Sequence, residues 1–273
     1  MCELFAISSS SPVNITFSLE EFSRHGGLTA PHKDGWGIAF YANKDIQRIR
    51  EVDSASNSDC LSFIKNHPFY SKMVISHIRR ATQGQLTLEN TQPFSRELGG
   101  RMHVFAHNGD LTGISENEYF KQIEFKAIGE TDSEFAFCGL MNSLKDLWTS
   151  IESPSLQDRL STVSRFAKLI KGFGPANFIY SDSDYLYAHG HKRWDENEQD
   201  FHPPGLHYLS RNCIAEKTSR EEINGVDIQT SEIDQEVALL ASVPLTDEPW
   251  QPLKEGEVIA ISNGRIFNAG KKI

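Results

Sequence analysis

Cysteine directly follows the initiator methionine in this chain. Removal of Met1 is compatible with the small second residue. It would leave Cys2 with a thiol and a free α-amino group on one residue. Such an amine titrates near ~8, so a useful fraction is unprotonated at neutral pH. It can act as general base toward the thiol, directly or through one water, as N-terminal threonine nucleophiles do. The thiolate itself is strongly nucleophilic. Cys2 is therefore a candidate catalytic nucleophile. The structural alternative is a small hydrophobe that starts a buried strand.

Four other groups of residues have types suited to chemistry. His77-Ile78-Arg79-Arg80-Ala81-Thr82-Gln83-Gly84 follows an apolar run. This puts Arg79 and Thr82 at a strand end, where binding loops sit. The planar fork of Arg79 matches a carboxylate, whereas Arg80 reads as solvated. His107-Asn108-Gly109-Asp110 ends a second apolar run. The Asn108 amide beside the Gly109 N–H makes a pair of donors for an oxyanion, although Asn-Gly is also an ordinary turn. Asp132 falls in the first turn of a helix, where the dipole alone favours a carboxylate; it would also suit a substrate ammonium. In Asp34-Gly35-Trp36-Gly37, Trp36 reads either as core or as a pocket wall.

Elements that would position these groups can be read from periodicity. Strands fit Cys2–Ser8, Gly37–Tyr41, Ile46–Val52, Lys72–Ile78 and Arg101–His107, with a turn at Ser8–Ser11 and a helix over 57–66. Thr131-Asp132-Ser133-Glu134 forms a capping box for a helix whose apolar face is Leu140, Leu144, Leu147 and Ile151. A second helix carries Leu156, Leu160, Val163, Ala167 and Ile170 and stops at Gly172-Phe173-Gly174-Pro175. The period then returns to two. Phe178–Tyr180 and Tyr185–Tyr187 flank a turn, followed by Leu206–Ser210, Val237–Val243 and Val258–Ile261, with Asn263-Gly264 as a hairpin turn. Strands, helices, then strands predict a layered α+β domain.

The bulk properties narrow the function. The 273 residues carry 27 basic and 37 acidic side chains, a net charge of −10, with no long basic run. That argues against nucleic acid or an anionic membrane as partner. No stretch has the apolar length of a membrane span, and the start has no basic segment of the kind a signal peptide needs. Cys2, Cys60, Cys138 and Cys213 are widely spaced and form no C-x-x-C pair. They read as reduced thiols of a cytoplasmic protein. No metal pattern stands out among the ten histidines, and no cofactor is expected.

The order of these motifs (N-terminal Cys, D-G-W-G, H-x-R-x-A-T-x-G, H-N-G, T-D-S-E) resembles that of the class II glutamine amidotransferases, members of the N-terminal nucleophile hydrolase superfamily. Ala241-Ser242-Val243-Pro244-Leu245-Thr246-Asp247-Glu248-Pro249-Trp250 looks like the stand-alone YafJ-like branch. That branch is itself similar to the bacterial γ-glutamyl hydrolase of ergothioneine synthesis. The resemblance implies a four-layer αββα sandwich and one amidotransferase domain over residues 1–273, with the mature chain starting at Cys2. It implies that Cys2 attacks the side-chain amide of glutamine and that Asn108 and Gly109 hold the oxyanion. Arg79, helped by Thr82, would hold the α-carboxylate and Asp132 the α-ammonium. Arg80 and Gln83 depart from the Trp and His of many synthase members, and there is no room for a synthase domain. Ammonia would then pass to a separate accepting protein, or a γ-glutamyl peptide or conjugate is the substrate. A non-catalytic glutamine-binding module is the alternative of another class. His189, His191, Arg193 and Trp194 read as a solvated loop or as the distal side of the pocket.

Overall fold

The computed structural model describes residues 2–14, 34–67, 69–81, 84–149, 153–195, 198–213, 222–223, 226–227, 234–268 and 271–272. The first half contains β1 (Glu3–Asn14), β2 (Trp36–Ala42), β3 (Asp45–Glu51), helix α1 (Asp59–Asn66) and β4 (Tyr70–Ile78). Next come β5 (Phe94–Glu97), β6 (Met102–Gly109), the single-turn α2 (Glu118–Lys121), α3 (Asp132–Leu144) and α4 (Leu156–Ile170). Then follow β7 (Ala176–Ser181), β8 (Leu186–His189), β9 (Arg193–Asp195), β10 (Asp200–His202) and β11 (His207–Cys213). The last elements are β12 (Glu222–Ile223), β13 (Val226–Asp227), β14 (Gln235–Ala241), β15 (Gln251–Pro252), β16 (Val258–Ser262), β17 (Arg265–Asn268) and β18 (Lys271–Lys272).

Two seven-stranded sheets face each other. One has the order β15-β11-β14-β1-β4-β2-β3, the other β18-β17-β16-β8-β7-β6-β5. Side chains alternate across each strand, so each sheet serves two layers. Leu4, Ala6, Met73 and Ile75 meet Val104, Ala106, Ile179 and Ala188 between the sheets. The opposite parity, Phe5, Ile7, Ile38 and Val74, packs outward under Leu61 and Ile64 of α1. On the far side, Phe105, Phe178 and Tyr180 pack outward against α3 and α4 through Phe137, Leu140, Val163 and Ile170. The result is the four-layer αββα arrangement.

Local sequence explains most boundaries. Ser155 caps α4 by accepting the Asp158 N–H, and Leu160, Val163, Ala167 and Ile170 form its buried face as their spacing predicts. Asn263 and Gly264 both adopt positive φ, 50° and 77°, and Ser262 pairs directly with Arg265. Such a two-residue turn matches the twist of the strands it joins.

Three expectations are corrected. Ser8–Ser11 is no turn. β1 continues through it with a bulge that shifts the register between Ser8 and Val13, and Ser9 Oγ donates to Ser11 O at 2.6 Å. The helix α3 ends at Leu144 and tightens into a 3₁₀ turn over Lys145–Trp148; Leu147, on that turn, still packs against the same core as Leu140 and Leu144, and Ile151 falls outside the described residues. The capping box is half-formed. Thr131 Oγ1 accepts the Glu134 N–H at 3.3 Å, but the Glu134 carboxylate instead accepts the Gly129 N–H at 2.7 Å and pairs with Arg96.

Two fully buried histidines give the fold an acid-sensitive term. His103 is bracketed by the Tyr180 hydroxyl at 2.6 Å and Leu98 O at 3.1 Å, and burial pushes its pKa down to about 3. His189 donates to Ala176 O at 2.6 Å, and burial lowers its pKa to about 4. Unfolded histidine takes a proton near ~6.5. Between that pH and the folded values only the unfolded chain is protonated. Stability is therefore full above pH ~6.5 and falls as the pH drops, by about 3 kcal/mol per histidine at pH ~4. Thermal melts across this range should show Tm falling steadily toward acid. A flat Tm over the window would contradict the assignment.

Candidate active site

Pairing register carries the chain's polar motifs to one end of the space between the sheets. Glu3 and Trp36 both lie opposite Ile78, which sets Cys2 beside Arg79 just beyond the paired ends of β1 and β4. Cys2 continues the inward parity of Leu4 and Ala6, and Arg79 that of Ile75 and His77. In the facing sheet, Asn108 continues the inward parity of Val104 and Ala106. The half-buried Cys2 Sγ is held by the backbone of Arg80, accepting its N–H at 3.3 Å and lying 3.4 Å from its carbonyl. Burial pushes the thiol pKa up, the Arg80 N–H and the Arg79 charge oppose that, and Asp132 adds to it. The thiol thus feels both the cation and the carboxylate of the site.

Each neighbour is fixed by a specific contact. Arg79, 3% exposed, donates to Gln85 O at 3.1 Å and Gly84 O at 3.3 Å. These contacts set the plane of the guanidinium. Burial lowers its pKa while Cys2 and Asp34 act in the opposite sense. Asp132, the first residue of α3, accepts Leu111 N–H and Ser133 N–H, both at 2.7 Å. The Ser133 hydroxyl lies 2.9 Å from His107 Nδ1, so β6 and α3 are tied together next to the carboxylate. Gly109 has no room for a side chain, because a Cβ there would stand 1.8 Å from the Pro175 carbonyl. Gly109 is the last residue of β6 and directly follows the buried Asn108.

Cys2, Arg79, Asn108, Gly109 and Asp132 therefore gather at one end of the sandwich. Thr82 lies outside the described residues. Trp36 does not join them. Its parity on β2 is outward, and its indole is buried with Phe5, Ile38 and Ile78 and donates to Glu51 at 3.1 Å. Asp34 connects that motif to the site instead. Its carboxylate accepts the Ala81 N–H at 2.8 Å, and Gly35 O accepts the Arg79 N–H at 2.8 Å.

The stretch after β8 is no solvated loop. His189 and His191 are buried, and Arg193 approaches Glu3 at 3.6 Å, so this segment braces the strand that carries Cys2. Two residues to which the sequence reading gave no site role also belong here. Asn177 pairs with Asn108 across β6 and β7, and Ser242 touches Asn108. The available signal was a polar residue beside an apolar run: Asn177 is the second residue of β7 and Ser242 directly follows β14. Among the described residues no cluster of His, Cys, Asp or Glu is placed to hold a metal. A cavity of about 650 Å³ opens elsewhere, lined by Ser8, Tyr41, Lys44, Lys72 and Asp184 among others. It lies roughly 20 Å along β1 from Cys2 and includes none of these residues.

Two facing sheets between helical layers, with a cysteine at the open end of the first strand, define the N-terminal nucleophile class of amidotransferase fold. A crystal structure of a predicted glutamine amidotransferase from Pseudomonas aeruginosa matches it with a TM-score of 0.69 and 30% identity, over 97% of this chain and 99% of that one. The YafJ protein of Escherichia coli, which carries a glutamine amidotransferase designation, is 33% identical over the full length of both chains. A Haemophilus influenzae protein with the same designation is 35% identical over 97% of this chain and 85% of its own. The model of the class-II glutamine amidotransferases covers residues 1–272, and the chain belongs to that family. It is an enzyme of the kind that hydrolyses or transfers the amide of glutamine.

Proposed function

We propose that Cys2, exposed as the N-terminal residue by removal of Met1, hydrolyses the side-chain amide of glutamine or of a γ-glutamyl compound through a γ-glutamyl thioester. The observation that carries this reading is the convergence of Cys2, Arg79, the Asn108-Gly109 pair and Asp132 from four separate stretches of chain. Burial raises the thiol pKa and so favours the protonated form. The thiol therefore needs a base at the moment of attack, and the α-amine of the same residue is adjacent to it. The amine takes the thiol proton as the S–C bond forms. The carbonyl oxygen becomes an oxyanion between the Asn108 amide and the Gly109 N–H. Collapse breaks the C–N bond while the ammonium returns its proton to the leaving nitrogen. Water then attacks the thioester, with the amine again as base, and releases the γ-carboxylate.

Substrate is held at its other end by charge. The Arg79 guanidinium takes the α-carboxylate, helped by Thr82, and Asp132 takes the α-ammonium. Three donors already fix the Asp132 carboxylate, so it is oriented before substrate arrives. Arg79 binds ground state and transition state alike. Arg79→Ala should therefore raise KM roughly 10- to 100-fold while kcat changes little. A fall in kcat at unchanged KM would remove Arg79 from this role. Steady-state ammonia release from glutamine, run beside glutathione-like and other γ-glutamyl amides, tests the reading as a whole. Turnover of the amides but not glutamine would assign a γ-glutamyl conjugate. Turnover of none of them would leave a glutamine-binding module.

A further inference from the structure

Asn108 is completely buried, and the polarity of its side-chain contacts depends on which way its amide faces. Its Nδ2 lies 3.4 Å from Ser242 Oγ, while its Oδ1 has no hydrogen-bond partner. Ser242 Oγ already accepts the Leu4 N–H at 3.0 Å. A hydroxyl has one proton to give and two lone pairs to accept with. Here both acceptor sites would be used and the proton would have no acceptor. At the same time a buried carbonyl oxygen would lack a donor, a cost of roughly 1–3 kcal/mol.

A half-turn of the Asn108 amide about its Cβ–Cγ bond resolves both faults. Amide O and N have nearly the same shape, and their assignment follows from the surrounding network. After the turn, Oδ1 faces Ser242 and accepts its hydroxyl proton. Nδ2 then occupies the position of the unpartnered oxygen. The separation of 3.4 Å is long for either bond.

Asn177, one strand away, serves as the contrast. Its Nδ2 donates to Asn108 O at 3.1 Å and Lys192 O at 2.7 Å, and its Oδ1 accepts the His191 N–H at 2.7 Å. Three contacts of correct polarity leave that amide no second orientation. Among the described residues, Asn108 has only Ser242 to decide its own.

We propose that Ser242 is a positioning residue, whose hydroxyl donates to Asn108 Oδ1 and so points Asn108 Nδ2 away from the protein network and toward the developing oxyanion. This rests on the proposed oxyanion role of Asn108. Ser242 is itself anchored to the nucleophile strand twice, through Leu4 N to its Oγ and through its own N–H to Leu4 O at 3.0 Å. One side chain thereby connects the strand bearing Cys2 to the donor that must face the substrate. A hydroxyl donating to Oδ1 also polarises the amide and strengthens its N–H as a donor.

The test is a double-mutant cycle read as kcat and KM for glutamine with the full chain. Asn108→Ala should lower kcat on the order of 100- to 1000-fold. Ser242→Ala should lower it roughly 10- to 100-fold with KM nearly unchanged, and Ser242→Thr, which keeps the hydroxyl, should recover most of it. In the Asn108→Ala background, Ser242→Ala should have almost no further effect. Equal losses in both backgrounds, or an unchanged kcat in Ser242→Ala alone, overturn the proposal and leave the oxyanion role standing. An unimpaired Asn108→Ala enzyme overturns the oxyanion role itself. Should Ser242→Ala fail to fold, neutron diffraction from the unmodified protein decides the matter. Deuterium on Ser242 Oγ directed at Asn108 supports the proposal; an amide deuterium directed at Ser242 overturns it.

Discussion

Replacing Cys2 by alanine is expected to cut ammonia release from glutamine on the order of 10⁴-fold or more, while glutamine still binds. The size follows from the loss of the covalent route. With no thiol there is no thioester, and the remaining donors can only polarise an amide that water attacks slowly. No other described thiol can substitute. Cys60 belongs to α1 in the outer layer, and Cys138 is buried in the α3 core, where burial pushes its pKa up to about 11. Binding should survive because Arg79, at the end of β4, and Asp132, at the start of α3, lie on other elements and are fixed by their own contacts. Titration calorimetry with glutamine should therefore give a Kd for Cys2→Ala within a few-fold of the KM of the active enzyme. Activity near the unmodified level would remove Cys2 from the mechanism.

Blocking the α-amine should be almost as costly. A variant with one residue inserted between Met1 and Cys2 keeps the thiol but turns its nitrogen into an amide, which has no basicity in water. Burial has already raised the thiol pKa above its ordinary value of 9.0, so little thiolate exists at neutral pH without a base. Loss of a positioned base costs roughly 100- to 10,000-fold in kcat, and KM should barely move because no substrate contact is lost. The pH profile distinguishes the two forms. In the unblocked enzyme kcat/KM should rise as the α-ammonium deprotonates near ~8. In the blocked one the rise should move to the higher pH at which the thiol itself ionises. Full activity in the blocked chain would show that the amine is not the base.

The sequence made the ends of strands legible and left their faces hidden. Arg79 and Asn108 were found because each follows an apolar run at the point where it turns polar. The β16–β17 hairpin was plain from Asn263-Gly264, since only residues at ease with positive φ serve there. Trp36 was ambiguous for a physical reason. β1, β2 and β4 are buried on both faces, so apolar residues occupy both parities and alternation does not reveal which side looks toward the other sheet. Pairing register does, and it sends Trp36 outward to Glu51. The same double burial explains why Ser8–Ser11 read as a turn. Polar residues in a buried strand are accommodated by a bulge and by bonds such as Ser10 Oγ with the Glu236 N–H, which depend on partners more than 200 residues away. Ser242 and Asn177 were missed likewise, because their importance lies in what they touch across the inter-sheet space. Spacing put Leu147 against the core, where it packs, but spacing does not register that the helix tightens at Leu144 before reaching it.

The central claim, that an N-terminal Cys2 carries the substrate as a thioester, is tested most directly by intact-protein mass measurement on enzyme quenched in acid during glutamine turnover, followed by mapping of the N-terminal peptide. The account predicts a chain that begins at Cys2 and bears one γ-glutamyl group on that residue. An active chain that retains Met1, or an adduct on any other residue, would contradict it.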